Sequence, residues 1–332
     1  MTRQRDVTFD FLKSIAIFLV IWGHTMALGP TDVYHNVNGH WIVLVNMPLF
    51  MFIVGFFSLS SEKRTIKEII SKKWHSLLIP TLIYGLVTSI PRLTISNQLT
   101  SSEIIRGGGV IACLIEPYWF IWAIMCCLLY YKCFSIILSR HISTVFLAVI
   151  SWTILMLMPH TIESPLLSKV QSMYPFFMLG LIFRKFRIFD TIKRVPFISG
   201  LSSFGIFATF YVILAPKQNF YHFQYISTFN WLVSYLMMLF VGMAGIIICY
   251  LLCNKMSRLN IAPINWLNEI GQYTLAIYLE QTIIFSFLNF AGVKLSNDII
   301  VFMLAILIFT SLAFATKIVS HHKLLSKLLL GK

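Results

Sequence analysis

The sequence predicts an all-α, polytopic membrane protein, a bundle of about ten transmembrane helices with both termini on the cytoplasmic side. Three observations lead to this fold class. Hydrophobic residues make up 58% of the 332 residues and charged residues only 11%, a composition typical of chains whose core solvent is lipid. Apolar runs of membrane-spanning length recur along the chain, and Lys and Arg are concentrated in alternate segments between those runs.

The apolar runs set the number of predicted helices. An α-helix rises about 1.5 Å per residue, so about 20 apolar residues cross roughly 30 Å of hydrocarbon. Ten runs approach that length, and the sixth is the shortest. The predicted spans are 7–28, 42–59, 75–95, 118–138, 143–159, 170–183, 196–215, 229–252, 267–290 and 299–320. Since no internal repeat or low-complexity segment separates them, we expect one membrane-embedded domain over residues 1–332.

The basic residues set the predicted orientation. With the N-terminus inside, 21 of the 26 Lys and Arg residues fall on cytoplasmic segments, mainly the loops 62–73 and 184–194. This positive-inside bias explains a net charge of +14 through topology, so no nucleic-acid partner is expected. The six cysteines lie in or beside apolar runs without metal-ligand or redox spacing, and we therefore expect neither disulfides nor a bound metal.

Ionisable residues inside the first predicted span indicate a functional site. Lys13 and His24 are eleven positions apart, which at about 100° per residue puts both on one helical stripe, and Asp10 shares that face. Such groups are costly in a bilayer unless they pair or line a wet cavity, and Asp10 can pair with Lys13. The residues alone leave two interpretations open: an interfacial ion pair with a packed histidine, or a functional site.

Six segments that follow one another along the chain share the pattern of one protein family. They are 5-RDVTFDFLKSIAIFLVIWGH-24, 47-MPLFMFIVGFFS-58, 72-KKWHSLLIP-80, 118-YWFIWAI-124, 176-FFMLGLIFRK-185 and 270-IGQYTLAIYLEQ-281. In order and in register with ten helices, this set resembles the acyltransferase-3 family, the integral membrane O-acyltransferases of bacterial surface glycans.

The resemblance implies an activity and a location. Members of this family transfer an acyl group, usually acetyl from cytoplasmic acetyl-CoA, to a hydroxyl of a surface or lipid-linked glycan at the bacterial inner membrane. His24 matches the family's essential histidine, and Lys13 matches a functional basic position that is often Arg. The chain departs from the pattern at Asn46, Val54 and Gln281, where relatives often have His, Ser and His.

The expected chemistry assigns roles to these residues. A sugar hydroxyl is a weak nucleophile, so we expect His24 to act as the general base, with an acyl-histidine intermediate as the alternative. Hydrogen-bond donors for the tetrahedral oxyanion are expected from Asn46, from the indoles of Trp119 and Trp122, or from Tyr273. For the aromatic residues, an interfacial packing role is the competing interpretation.

The donor is expected to enter from the cytoplasm. Lys72 and Lys73 would bind the phosphates of acetyl-CoA as point charges, and the pantetheine arm would reach inward along the stripe of Asp10, Lys13 and His24. No permanently bound cofactor is expected. Without the family resemblance, the positive-inside rule alone would explain the two lysines.

Two other classes of membrane protein stay open on the sequence. A proton-coupled transporter would also keep Asp, Lys, His and Glu280 inside helices, although no two-half repeat is apparent. A glycan polymerase or flippase would share the substrate and the membrane, but it would be expected to have larger outer loops than the one around residues 92–117.

Overall fold

The structure is a computed structural model that describes residues 6–30, 37–61, 64–95, 116–138, 143–158, 165–192, 194, 196–214, 229–257 and 259–331. Its helices are α1 (Val7–Met26), α2 (Val37–Ser58), α3 (Ile66–Lys73), α4 (Ile79–Ile95), α5 (Trp119–Leu138), α6 (Thr144–Met156), α7 (Pro165–Lys185), α8 (Ile188–Ile192), α9 (Phe197–Leu214), α10 (Phe229–Met256), α11 (Ala262–Ile270), α12 (Thr274–Phe290), α13 (Asp298–Ser320) and α14 (Lys323–Leu329). A 3-10 turn follows α2 at Leu59–Ser61, and a π-helical turn at Trp74–Leu78 joins α3 to α4.

Every predicted span coincides with helix, which confirms the all-α class. Six of the described helical segments are long and apolar enough to cross a membrane, and α6 and α12 are apolar but shorter. The six segments are Val7–Met26, Trp41–Ser58, Trp119–Leu138, Leu166–Lys185, Tyr235–Met256 and Asp298–Ser320. The chain is therefore a multi-pass helical membrane protein, while the number of ten spans stays a prediction.

Two predicted boundaries were wrong. The sixth span, expected to be the shortest, belongs to the 21-residue helix α7, because Pro175 is accommodated inside the helix. The ninth span, 267–290, is two helices, since α11 ends at Ile270 and α12 begins at Thr274. The apolar pattern does not reveal such a break, because it depends on Gly271, which is buried against the backbone of α1.

Helix α1 lies at the centre of the bundle. It begins where the Asp6 carboxylate accepts hydrogen bonds from the backbone N–H groups of Thr8 and Phe9, at 3.1 and 3.4 Å. It packs against α2, α10, α11, α12 and α13, and Leu12 and Ile17 are completely buried. The helix with the candidate site residues therefore packs against five other helices, while half of it is buried.

Helices α2 and α7 form the closest helix pair. A Cβ atom added to Gly55 would collide with the carbonyl oxygen of Phe177, and one added to Gly180 would collide with the carbonyl oxygen of Phe52. The two backbones are thus in direct contact at both glycines, as in small-residue packing between transmembrane helices. This contact fixes the position of α2 beside α1.

The turn between α11 and α12 rests on the N-terminal half of α1. Gly271 packs against the carbonyl group of Asp10, where a side chain would not fit, and the Ser14 hydroxyl donates a hydrogen bond to the Leu267 carbonyl at 2.5 Å. Fourteen residues further along each helix, the ring of Phe285 contacts the ring of His24. Helices α1 and α12 therefore run parallel and in register over this distance.

Candidate functional site

The predicted pair of Asp10 and Lys13 forms in the structure. The Lys13 Nζ atom lies 3.1 Å from Asp10 Oδ1, and the ammonium group also lies 5.3 Å from the ring centroid of Phe57. Asp10 is buried and Lys13 is half-buried. The carboxylate and the aromatic face both stabilise the charge of the half-buried ammonium group. These contacts offset the free-energy cost of removing that charge from water.

Lys13 borders an apolar cavity of about 160 Å³. The cavity lies between α1, α2, α5, α12 and the π-helical turn, and Lys13 is the charged residue among the described residues that line it. The other residues that line the cavity include Phe50, Leu77, Phe120, Thr274, Leu275 and Tyr278. The cavity combines apolar walls with one ammonium group, so it suits a largely apolar ligand that also has a hydrogen-bond acceptor.

His24 lies apart from this cavity, near the other end of α1. Lys13 and His24 are eleven positions apart, which corresponds to about 16 Å along the helix axis. The His24 side chain is exposed, and its ring centroid lies 5.4 Å from that of Phe285 on α12. The structure therefore joins Asp10 and Lys13 directly, whereas His24 shares their helix at a distance.

Asn46 lies next to the His24 end of α1. A Cβ atom on Gly23 would lie 3.6 Å from Asn46 Nδ2, so the buried amide packs against the backbone one residue before His24. The Asn46 Oδ1 atom accepts a hydrogen bond from the Met47 N–H at 2.6 Å. Among the predicted oxyanion donors, Asn46 is the one with a described contact to α1 beside the histidine.

Trp119 and Tyr273 lie elsewhere. Trp119 is the first residue of α5, and the Lys169 ammonium lies 4.8 Å from the centroid of its ring. Tyr273 precedes α12 in the turn beside Asp10, twelve residues before Phe285, or about 18 Å along the helix axis. Their predicted contact with a transition state at His24 stays a prediction, and Tyr273 lies at the level of the ion pair.

Lys72 and Lys73 form the last turn of α3. This helix begins with a capping box, in which the Thr65 hydroxyl accepts from the Glu68 N–H and the Glu68 carboxylate accepts from the Thr65 N–H. Lys72 is exposed and Lys73 is half-buried. Burial lowers the pKa of Lys73, and the neighbouring positive charges of Lys72 and Arg64 lower it further.

Two polar residues in the middle of α12 were not among the predicted site residues. The Glu280 carboxylate accepts hydrogen bonds from the hydroxyl groups of Tyr84 at 3.0 Å and Thr316 at 2.8 Å, linking α4, α12 and α13. Gln281 is 1% exposed, and neither its Oε1 nor its Nε2 atom has a hydrogen-bond partner among the residues that the structure describes. The signal available in the sequence was the polar pair Glu-Gln inside an apolar run.

The sequence of the chain matches one family model and two curated relatives. A family model described as an acyltransferase domain matches residues 6–320. Nodulation protein NolL of Sinorhizobium fredii is 29% identical over 195 residues, which cover 54% of this chain and 49% of that protein. Nodulation protein NolL of Mesorhizobium japonicum is 30% identical over 206 residues, which cover 55% and 48%. The chain spans about half the length of these curated relatives, and no solved structure matches it.

Proposed function

Because the chain belongs to the acyltransferase family whose model matches residues 6–320, we propose that it moves an acetyl group from cytoplasmic acetyl-CoA to a sugar hydroxyl of a surface or lipid-linked glycan. The observation that most directly supports this is the arrangement along α1. An apolar cavity bordered by Lys13 lies at one end, and the exposed imidazole of His24 lies on the same helix about 16 Å away. A donor and an acceptor can therefore approach from opposite sides of the membrane.

The donor would enter at the cytoplasmic end. Leu77 lines the cavity and follows Lys73 by four residues, so the basic turn of α3 and the cavity are neighbours along one helical segment. Phosphate groups of acetyl-CoA would bind at Lys72 and Lys73, and the pantetheine arm would pass Lys13 into the apolar cavity. This arrangement keeps the highly charged nucleotide out of the hydrocarbon region.

The reaction would take place at His24. The sugar oxygen attacks the thioester carbonyl as His24 takes the hydroxyl proton, and the carbon–sulfur bond then breaks. The imidazolium returns the proton to the departing thiolate, so the products are the acetyl ester, free CoA and a neutral His24. The Asn46 amide, which packs beside this end of α1, would donate a hydrogen bond to the oxyanion.

The proposed topology has ten membrane spans with both termini in the cytoplasm, at the bacterial inner membrane. Reporter domains fused after Lys63 and after Thr31 test it, and both positions lie outside the described residues. The fusion after Lys63 should report a cytoplasmic location and the fusion after Thr31 a periplasmic one, because basic residues are retained inside. The reverse pattern would contradict the proposed orientation.

Transfer of label tests the activity itself. Vesicles containing the purified protein and lipid-linked glycans from its source receive acetyl-CoA with a labelled acetyl group. Label should appear in the glycan fraction and be released as acetate by mild alkali, because the product is an ester. Vesicles that show proton-coupled solute uptake and no labelled glycan would instead support the transporter alternative.

Lys72→Ala/Lys73→Ala should raise KM for acetyl-CoA about tenfold in this assay and change kcat less, because ground-state charge contacts are lost. Since burial lowers the pKa of Lys73, the difference from the unmodified protein should shrink as pH rises through that pKa and Lys73 loses its charge. The control is Lys323→Ala/Lys327→Ala on α14, which likewise removes two lysines, both of them exposed. An unchanged KM in the folded first variant would leave the lysines with a topological role only.

A further inference from the structure

Gln281 is a buried amide without a hydrogen-bond partner among the residues that the structure describes. Its side chain is 1% exposed, and both polar atoms lack a hydrogen-bond partner among the described residues. Leaving such a group unpaired is costly, since folding removes it from water without a replacement. Gln171, which is equally buried on α7, differs in that its Nε2 atom donates to the Leu155 carbonyl at 2.9 Å, so that among the described residues only its Oε1 atom lacks a partner.

The position of Gln281 connects the two parts of the candidate site. Thr274, Tyr278, Gln281 and Phe285 are spaced four, three and four residues apart, so they lie on one stripe of α12. Thr274 and Tyr278 line the apolar cavity, and Phe285 contacts the ring of His24. Gln281 therefore lies between the cavity and the histidine, about 4.5 Å along the axis from Tyr278 and about 6 Å from Phe285.

We propose that Gln281 is a donor-binding residue whose carboxamide pairs with an amide group of the pantetheine arm of the acyl donor. A carboxamide offers both a donor and an acceptor, and a secondary amide supplies the complementary N–H and C=O groups. The pantetheine arm contains two such amides in an otherwise mostly apolar chain. This inference rests on the proposed function, and it names the group that would satisfy Gln281.

The direction of entry favours the donor over the sugar as the partner of Gln281. Gln281 is on the cavity side of Phe285, towards the basic turn at Lys72 and Lys73, whereas the acceptor would approach the exposed side of His24. In the structure Gln281 is 1% exposed, so the arm could reach it only if the surrounding side chains moved apart. The new hydrogen bonds to Gln281 would offset the free-energy cost of that movement.

The test compares the affinities of three ligands for the full-length protein in detergent. CoA has both the nucleotide and the arm, pantetheine has the arm alone, and adenosine 3′,5′-bisphosphate has the nucleotide phosphates without amides. Gln281→Met keeps an unbranched side chain and removes both polar atoms. It should weaken binding of CoA and pantetheine about tenfold and leave the bisphosphate unchanged, with a Tm equal to or above that of the unmodified protein.

Controls separate this inference from a packing effect and from the proposed function. Gln171→Met should lower Tm, because it loses the bond to Leu155, and should bind all three ligands normally. Gln281→Leu removes the same atoms and should reproduce the result of Gln281→Met. A lowered Tm with unchanged pantetheine affinity in both Gln281 variants would overturn the assignment alone. An unmodified protein that binds neither CoA nor pantetheine would overturn it together with the proposed function.

Discussion

His24→Ala is expected to abolish glycan acetylation, with a loss of about 10²- to 10⁴-fold in kcat, because a positioned base contributes that much to attack by a weak nucleophile. Binding of acetyl-CoA should stay near normal. Lys13, which borders the cavity, lies about 16 Å from His24 along α1, and a base acts on the transition state more than on the bound ground state. The measurements are acetyl transfer in vesicles and CoA binding by the same preparation.

His24→Gln separates proton transfer from hydrogen bonding. Glutamine can donate and accept hydrogen bonds but cannot take up the sugar proton, so this variant should be nearly as inactive as His24→Ala. His322→Ala, which removes an exposed histidine at the far end of the chain, is the matched control and should retain activity. Substantial activity in His24→Gln would mean that His24 packs or orients and that another group accepts the proton.

Gly180→Ala is expected to cause a large loss of stability. Its new Cβ atom would collide with the backbone carbonyl of Phe52 on α2, and a backbone atom can move away only if the two helices separate. Overpacking usually costs about 1–3 kcal/mol, and a backbone collision belongs at or above the upper end of that range. We expect a clear fall in Tm in detergent and in the yield of folded protein.

Gly205→Ala is the control for that substitution. In the part of the chain that the structure describes, no atom lies within 4 Å of a Cβ added at Gly205 on α9, so this variant should have an unchanged or slightly higher Tm. Glycine inside a helix costs about 0.5–1 kcal/mol relative to alanine, which sets the size of the possible gain. Equal Tm values for Gly180→Ala and Gly205→Ala would show that α2 and α7 are not held in backbone contact.

The fold was more predictable than the candidate site, for a physical reason. Membrane helices follow from apolar composition and length, both of which are local properties, so helices could be predicted at all ten runs. The pairing of Asp10 with Lys13 was also predictable, because helical geometry sets the distance between residues three apart. The break at Gly271 was not, because it depends on contact with α1, a distant part of the chain.

Some features of the site could not be predicted from the sequence, because they depend on tertiary contacts. Nothing in the spacing of α1 shows that Lys13 borders a cavity, since the walls come from α2, α5 and α12. Gln281 stood out in the sequence as a departure from the family pattern. Its burial and its lack of a partner among the described residues are visible once α12 is packed into the bundle.

The π-helical turn at Trp74–Leu78 makes this part of the chain tolerant of a one-residue deletion. At its end the Ile79 N–H bonds the carbonyl of Trp74, five residues earlier, so the turn holds one residue more than an α-helical turn. Because the wider turn absorbs that residue locally, its removal would leave a continuous α-helix with the register of α3 and α4 nearly unchanged. Lys72 and Lys73 would then keep the direction they face now. A deletion of the same size inside α3, where no wider turn takes up the change, would instead rotate the residues before it by about 100°.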